Sequence, residues 1–120
     1  MSMTSKPKLI ATEYRVIPVG DGKALSGTIE WPRDPGFHAI DKLVQPLIGG
    51  GNIEHVTVLH DGERRDMFVD DEGHLKSLPR NDRATAIYRT NWMTQHPSAN
   101  PESLPHIAGL AVLFTRRVWF

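Results

Sequence analysis

The chain has no cysteine. That excludes disulfides, thiolate metal sites and thiol nucleophiles, and it fits a reducing compartment. No apolar run approaches the roughly 20 residues that span a bilayer. The polar start, MSMTSKPK, lacks the apolar segment of a signal peptide. The expectation is a cytoplasmic protein with no membrane partner. Net charge is also lacking, because 14 basic residues cancel 14 acidic ones. A neutral domain exerts no global pull on phosphate backbones, so nucleic-acid binding would need a local basic patch.

What is present suffices for a folded domain. The 120 residues are 39% hydrophobic. A chain of this size buries roughly two-thirds of its unfolded surface, enough for a core without metal or disulfide staples. Residues 1–7 are expected to form a flexible arm and 8–120 a single domain, as a monomer or small homo-oligomer.

Residues 9–19 and 25–31 are rich in β-formers and flank a glycine-rich turn, which predicts a hairpin. The breaker PRDPG follows. Phe37, Ile40, Leu43, Val44 and Leu47 then make one apolar stripe at helical spacing. Pro46 lacks the N–H that would bond back to Lys42 and predicts a kink or tightening. Gly49 is suited to a left-handed C-cap. Asp61-Gly62 is the dipeptide preferred by a two-residue hairpin turn. That turn sets Val56 opposite Met67, with Val58 and Val69 on the same face. Ile53, His55, Thr57, Leu59, Phe68 and Asp70 take the other face.

A second turn at 70–73, with Gly73 in a left-handed position, predicts a further short strand over His74–Leu78 that pairs Leu75 with Val69. Pro79 stops it. Asn81 or Asp82 caps a helix whose stripe is Ala84, Ile87, Tyr88, Asn91 and Trp92. Three prolines make 96–106 a loop, and 107–120 is a nearly continuous apolar run of strand length, then a basic pair and an aromatic end, which predicts a strand buried on both faces. The element order β-β-α-β-β-β-α-β predicts an α+β domain, a mostly antiparallel sheet with two helices packed on one face.

The stretch EGHLKSLPRNDRATAIY resembles the signature of a small bacterial family of unknown function found in phages, plasmids and chromosomes: an acidic turn, G-x-L-K-x-L-P-x-N, then a helix. LVQPLIGGG, the following hairpin and GLAVLF extend the likeness over residues 9–115, more loosely than over 70–88. Pro46, the triple glycine and the 96–106 loop depart from the pattern. The resemblance implies association with a mobile element. It implies no reaction, so it carries over no catalytic residue.

Constellations of chemical interest are few. Asp66, Asp70, Asp71 and Glu72 lack the spacing of a calcium loop, and solvated turn chemistry accounts for them better. The six histidines show no H-x-x-x-H or H-E-x-x-H spacing, so no metal ligand set and no cofactor are assigned. Only folding could bring His96 and His106 together. The serines lie in no nucleophile motif, and IGGGN ends a helix where a phosphate loop would begin one. Tyr88 and Trp92 fall on the helix stripe and are better read as core than as base-stacking platforms.

Three functional readings follow. The leading one is a non-enzymatic accessory protein that binds a host or element protein through an exposed apolar patch or open sheet edge, with RRVWF and the 53–59 strand as candidates. The second is a nucleic-acid-binding module. The candidate binding residues are Lys76, Arg80, Asn81, Arg83 and Arg89. The third is a small-molecule binder or hydrolase with a pocket involving His55 or His74.

Overall fold

The computed structural model describes residues 8–120. The expected N-terminal arm, 1–7, lies outside them. The domain is α+β, with five strands in one antiparallel sheet: β1 (Leu9–Ile17), β2 (Leu25–Pro32), β3 (Ile53–His60), β4 (Glu63–Asp70) and β5 (Ala111–Phe114). Two helices pack against it, α1 (Phe37–Leu47) and α2 (Asp82–Gln95). The strand order is β2-β1-β5-β4-β3. The last strand in the chain therefore enters the centre of the sheet, between the two hairpins.

Local chemistry sets most of these elements where the sequence placed them, while β5 takes only Ala111–Phe114 of the expected 107–120 run. Asp61 and Gly62 both have positive φ, 53° and 76°. The tight turn they make pairs His60 with Glu63 and Val56 with Met67. At the end of α1 the Gly49 N–H donates to the Pro46 carbonyl (3.3 Å) and the Gly50 N–H to that of Gln45 (2.8 Å). This is a Schellman cap, and it requires the φ of 92° that Gly49 adopts. The helix runs through Pro46 in its last turn.

The helices do not share a face. Ile40, Val44 and Ile48 pack with Val16, Trp31, Phe68, Val112 and Phe114. Ala84, Ile87 and Tyr88 pack with Ile17, Val58, Met67, Val69, Ala111 and Leu113. These two sets alternate along β4 and β5, so α1 and α2 cover opposite sides of the sheet. The expectation of one covered face is corrected, and β5 holds the reason. All four of its residues are buried, and a central strand that is apolar on both faces needs a cover on each. Phe68 and Phe114, both fully buried, each contribute roughly 1.5–3 kcal/mol relative to exposure.

Two further expectations are corrected. No strand forms over His74–Leu78. Residues 71–77 are a run of turns in which the Lys76 N–H bonds the Glu72 carbonyl and the Leu78 N–H that of Gly73. Leu75 is 85% exposed rather than paired with Val69. The left-handed residue there is Ser77, φ 54°, not Gly73. Gly73 serves close approach instead: a Cβ on it would lie 2.9 Å from the Ala108 carbonyl oxygen.

Candidate functional site

A gathering of polar side chains lies on the α1 side of the sheet, toward the β3–β4 turn. Alternation puts His55 and Thr57 of β3 and Arg64 and Asp66 of β4 on that side. After β5 the chain doubles back over it as the tail 115–120. Asp66 and Arg116 hold this tail. Asp66 Oδ2 accepts from the Val118 and Trp119 N–H groups at 2.8 and 2.9 Å. Arg116 donates to the Thr12 hydroxyl and to the Pro32, Arg33 and Arg117 carbonyls. Val118 is thereby fully buried.

Asp66 is 5% exposed. Its other oxygen, Oδ1, accepts from His55 Nε2 at 2.7 Å. Burial pushes the Asp66 carboxyl up, but the hydrogen bonds from His55, Val118 and Trp119 outweigh it and hold the group below its ordinary value. The His55 ring lies flat on Trp119, 4.7 Å between centroids at 9°. Phe37 meets Trp119 edge-on at 6.2 Å. Arg117 and Arg33 stand over the Phe120 ring at 4.4 and 5.1 Å.

Two cavities flank Trp119. One, of about 340 Å³, is lined by His55, Thr57, Arg64, Arg65, Asp66, Arg117 and Trp119. The other, of about 210 Å³, is lined by Phe37, Ile40, Val118 and Phe120 and by Asp34 and Gly36. A histidine oriented by a buried carboxylate is part of many hydrolytic sites. Among the described residues no hydroxyl is hydrogen-bonded to His55, although Thr57 lines the same cavity.

The five residues singled out from the sequence have separate partners. Lys76 Nζ donates to Asp70 Oδ2 at 2.8 Å. Asp70 is raised by burial but drawn lower on balance by Lys76 and the Glu72 N–H, while Lys76 is raised chiefly by Asp70. Gly51 leaves room for this pair, since a Cβ there would lie 2.6 Å from Lys76 Nζ. Arg80 pairs with Asp82 at 2.8 Å. Arg83 clamps the β1–β2 loop through the Pro18 and Gly22 carbonyls. Arg89 binds the Leu104 carbonyl and sits 3.6 Å from Glu102.

Asn81 is fully buried. Its Oδ1 accepts from the Ala84 N–H and caps α2. Its Nδ2 donates to the carbonyls of Ile17 and Gly109, both at 2.9 Å. It thus ties α2 to β1 and to the approach of β5.

Of the histidines, His74 and His106 come together, with ring centroids 4.6 Å apart and His74 Nε2 donating to the His106 carbonyl. Burial first, then the neighbouring His74, holds His106 below its ordinary value. They border a cavity of about 220 Å³ that also includes Tyr88. His96 stacks on Trp92 instead. Among the described residues no group of three or more histidines, aspartates and glutamates is placed to hold a metal ion, and no helix is long and apolar enough to cross a membrane.

The His55–Asp66 pair was missed from sequence, although a signal existed. The Asp61-Gly62 turn sets Thr57 opposite Asp66 and leaves His55 on the neighbouring diagonal, within reach of a long side chain. No protein-family model, curated protein or solved structure matches the chain.

Proposed function

We propose that this is a protein-binding module, an accessory protein that engages its partner through the face around Trp119. One observation carries the reading. Phe37, Trp119 and Phe120 remain 58%, 36% and 45% exposed in a packed aromatic cluster, with arginines at its border. Clustered aromatics and arginines are the composition of interface hot spots. The two segments nominated from sequence, RRVWF and the 53–59 strand, meet here through the stacking of Trp119 on His55. The face is favoured over the free edge of β3, because the Asn91 amide takes the Thr57 carbonyl at 3.0 Å and obstructs strand addition. The mobile-element association is supported by the family resemblance alone.

The test is affinity capture from the native cell with the full chain and with a Phe37→Ser/Phe120→Ser double variant, after melting curves show that both are folded. The expected result is a partner retained by the former and reduced about tenfold by the latter, the loss of roughly 1.4 kcal/mol. A partner held equally by both, or none at all, overturns the reading.

A further inference from the structure

We propose that the cavity between Trp119 and Arg64 receives the carboxylate of an acidic side chain in the partner, next to an apolar side chain that enters the groove on the far side of Trp119. This rests on the protein-binding reading above and adds the chemistry of the segment bound.

The cavity holds charge that is not committed within the fold. Asp66, the acid in the cavity wall, is buried, and both of its oxygens are occupied, one by His55 and the other by two backbone N–H groups. Arg65 is likewise committed, to the His60 and Thr115 carbonyls and to Glu63. Arg64 and Arg117 differ. Among the described residues Arg64 makes no hydrogen bond or ion pair. Arg117 uses only Nε, which donates to the Trp119 carbonyl. Its guanidinium rests on Phe120, which restrains the group without occupying its remaining N–H donors.

Two such forks beside a cavity match the planar, bidentate geometry of a carboxylate. The Asp66 carboxylate behind them disfavours a phosphoryl dianion more than a singly charged acid. The 210 Å³ groove beyond Trp119 is bordered by Phe37, Ile40, Val118 and Phe120 with Asp34 also in its wall, so it suits an apolar neighbour rather than a second acid. The partner segment therefore carries an aspartate or glutamate beside a large apolar residue.

The probe is a fluorescent peptide of alternating glutamate and leucine, titrated by anisotropy at low salt against the full chain. Companion peptides carry glutamine or phosphoserine in place of glutamate. Saturable binding is expected, about tenfold weaker for the glutamine peptide. Arg64→Gln and Arg117→Gln should each weaken the glutamate peptide by about fivefold to tenfold with unchanged melting. Arg15→Gln, which removes an exposed arginine beside Glu13, should leave it unchanged.

No saturable binding, equal binding of the glutamate and glutamine peptides, or an equal loss in Arg15→Gln overturns the proposal. Tighter binding of the phosphoserine peptide overturns the carboxylate assignment. The same arginine variants in the capture assay separate the two readings. A partner lost by the aromatic variant but kept by both arginine variants sinks the acidic-segment proposal and leaves the protein-binding reading standing. A partner indifferent to all of them sinks the protein-binding reading.

Discussion

The corner at Asn81 and the face at Trp119 both gather polar groups next to apolar packing. At the corner, every donor and acceptor of the buried Asn81 side chain ends on backbone: two carbonyls and one N–H, drawn from β1, the approach to β5 and α2. At the face, Asp66 is saturated too, by His55 and two backbone N–H groups, but around it stand aromatic rings open to solvent and arginine donors that have no partner among the described residues. A satisfied buried network fixes the positions of the segments it joins. An unsatisfied exposed one lowers no folding energy and is available for a second molecule. The motif with the strongest sequence signature therefore accounts for architecture, and the segments without one hold the candidate surface.

The sharpest way to break this contrast is substitution at Asn81. As a simple N-cap, the residue would accept aspartate or serine at almost no cost. The two Nδ2 bonds change that. Asn81→Asp sets a buried carboxylate against the Ile17 and Gly109 carbonyls with no compensating cation, a loss of about 3–5 kcal/mol. Asn81→Ser keeps the cap but abandons both carbonyls, at about 2 kcal/mol. Urea unfolding of the two variants measures this, and a serine variant as stable as the parent would reduce the corner to an ordinary cap.

The next effect belongs to Asp66, the point at which the face is built like the corner. Its folded carboxyl lies below its ordinary value. Such a group stabilises the fold fully above its unfolded pKa of about 3.9 and loses that contribution as pH falls through the lower folded value. Asp66→Asn keeps an acceptor but loses the charge and one acceptor position, a cost of about 1–3 kcal/mol at neutral pH. The gap between variant and parent should narrow below about pH 4. Asp70, shifted in the same direction, leaves the variant some acid sensitivity of its own. Melting temperatures followed from neutral to acidic pH check the sign, and a gap that widens on acidification contradicts it.

The legible parts of the molecule were those governed by short-range chemistry. The Asp61-Gly62 turn needs two positive φ angles, Gly49 one, and the register of a hairpin follows from its turn. Helix periodicity does not say which side of a sheet a helix covers, so the two covered faces are not legible in the helices themselves; the unbroken apolar run of β5 carries that information. The Asp66 bonds to Val118 and Trp119 span more than 50 positions, and no local pattern announces such a contact. Arg116 and Arg117 look alike in sequence. Only the fold shows that the former is spent on Thr12 and three carbonyls while the latter stays largely free.

The smallest effect tests the segment where local propensity misled. A strand over 74–78 would have buried Leu75 against Val69, and its replacement by serine would then cost about 1.5–3 kcal/mol. The segment turns instead, because Lys76 folds back onto Asp70 and the Leu78 N–H closes onto the Gly73 carbonyl. Leu75 is left projecting, 85% exposed. Leu75→Ser should therefore shift the unfolding free energy by no more than about 0.5 kcal/mol. It should also leave partner capture unchanged, since Leu75 lies outside the residues bordering Trp119. A full strand-sized loss would restore the pairing with Val69. A loss of capture without any loss of stability would shift the binding face from the tail to this turn.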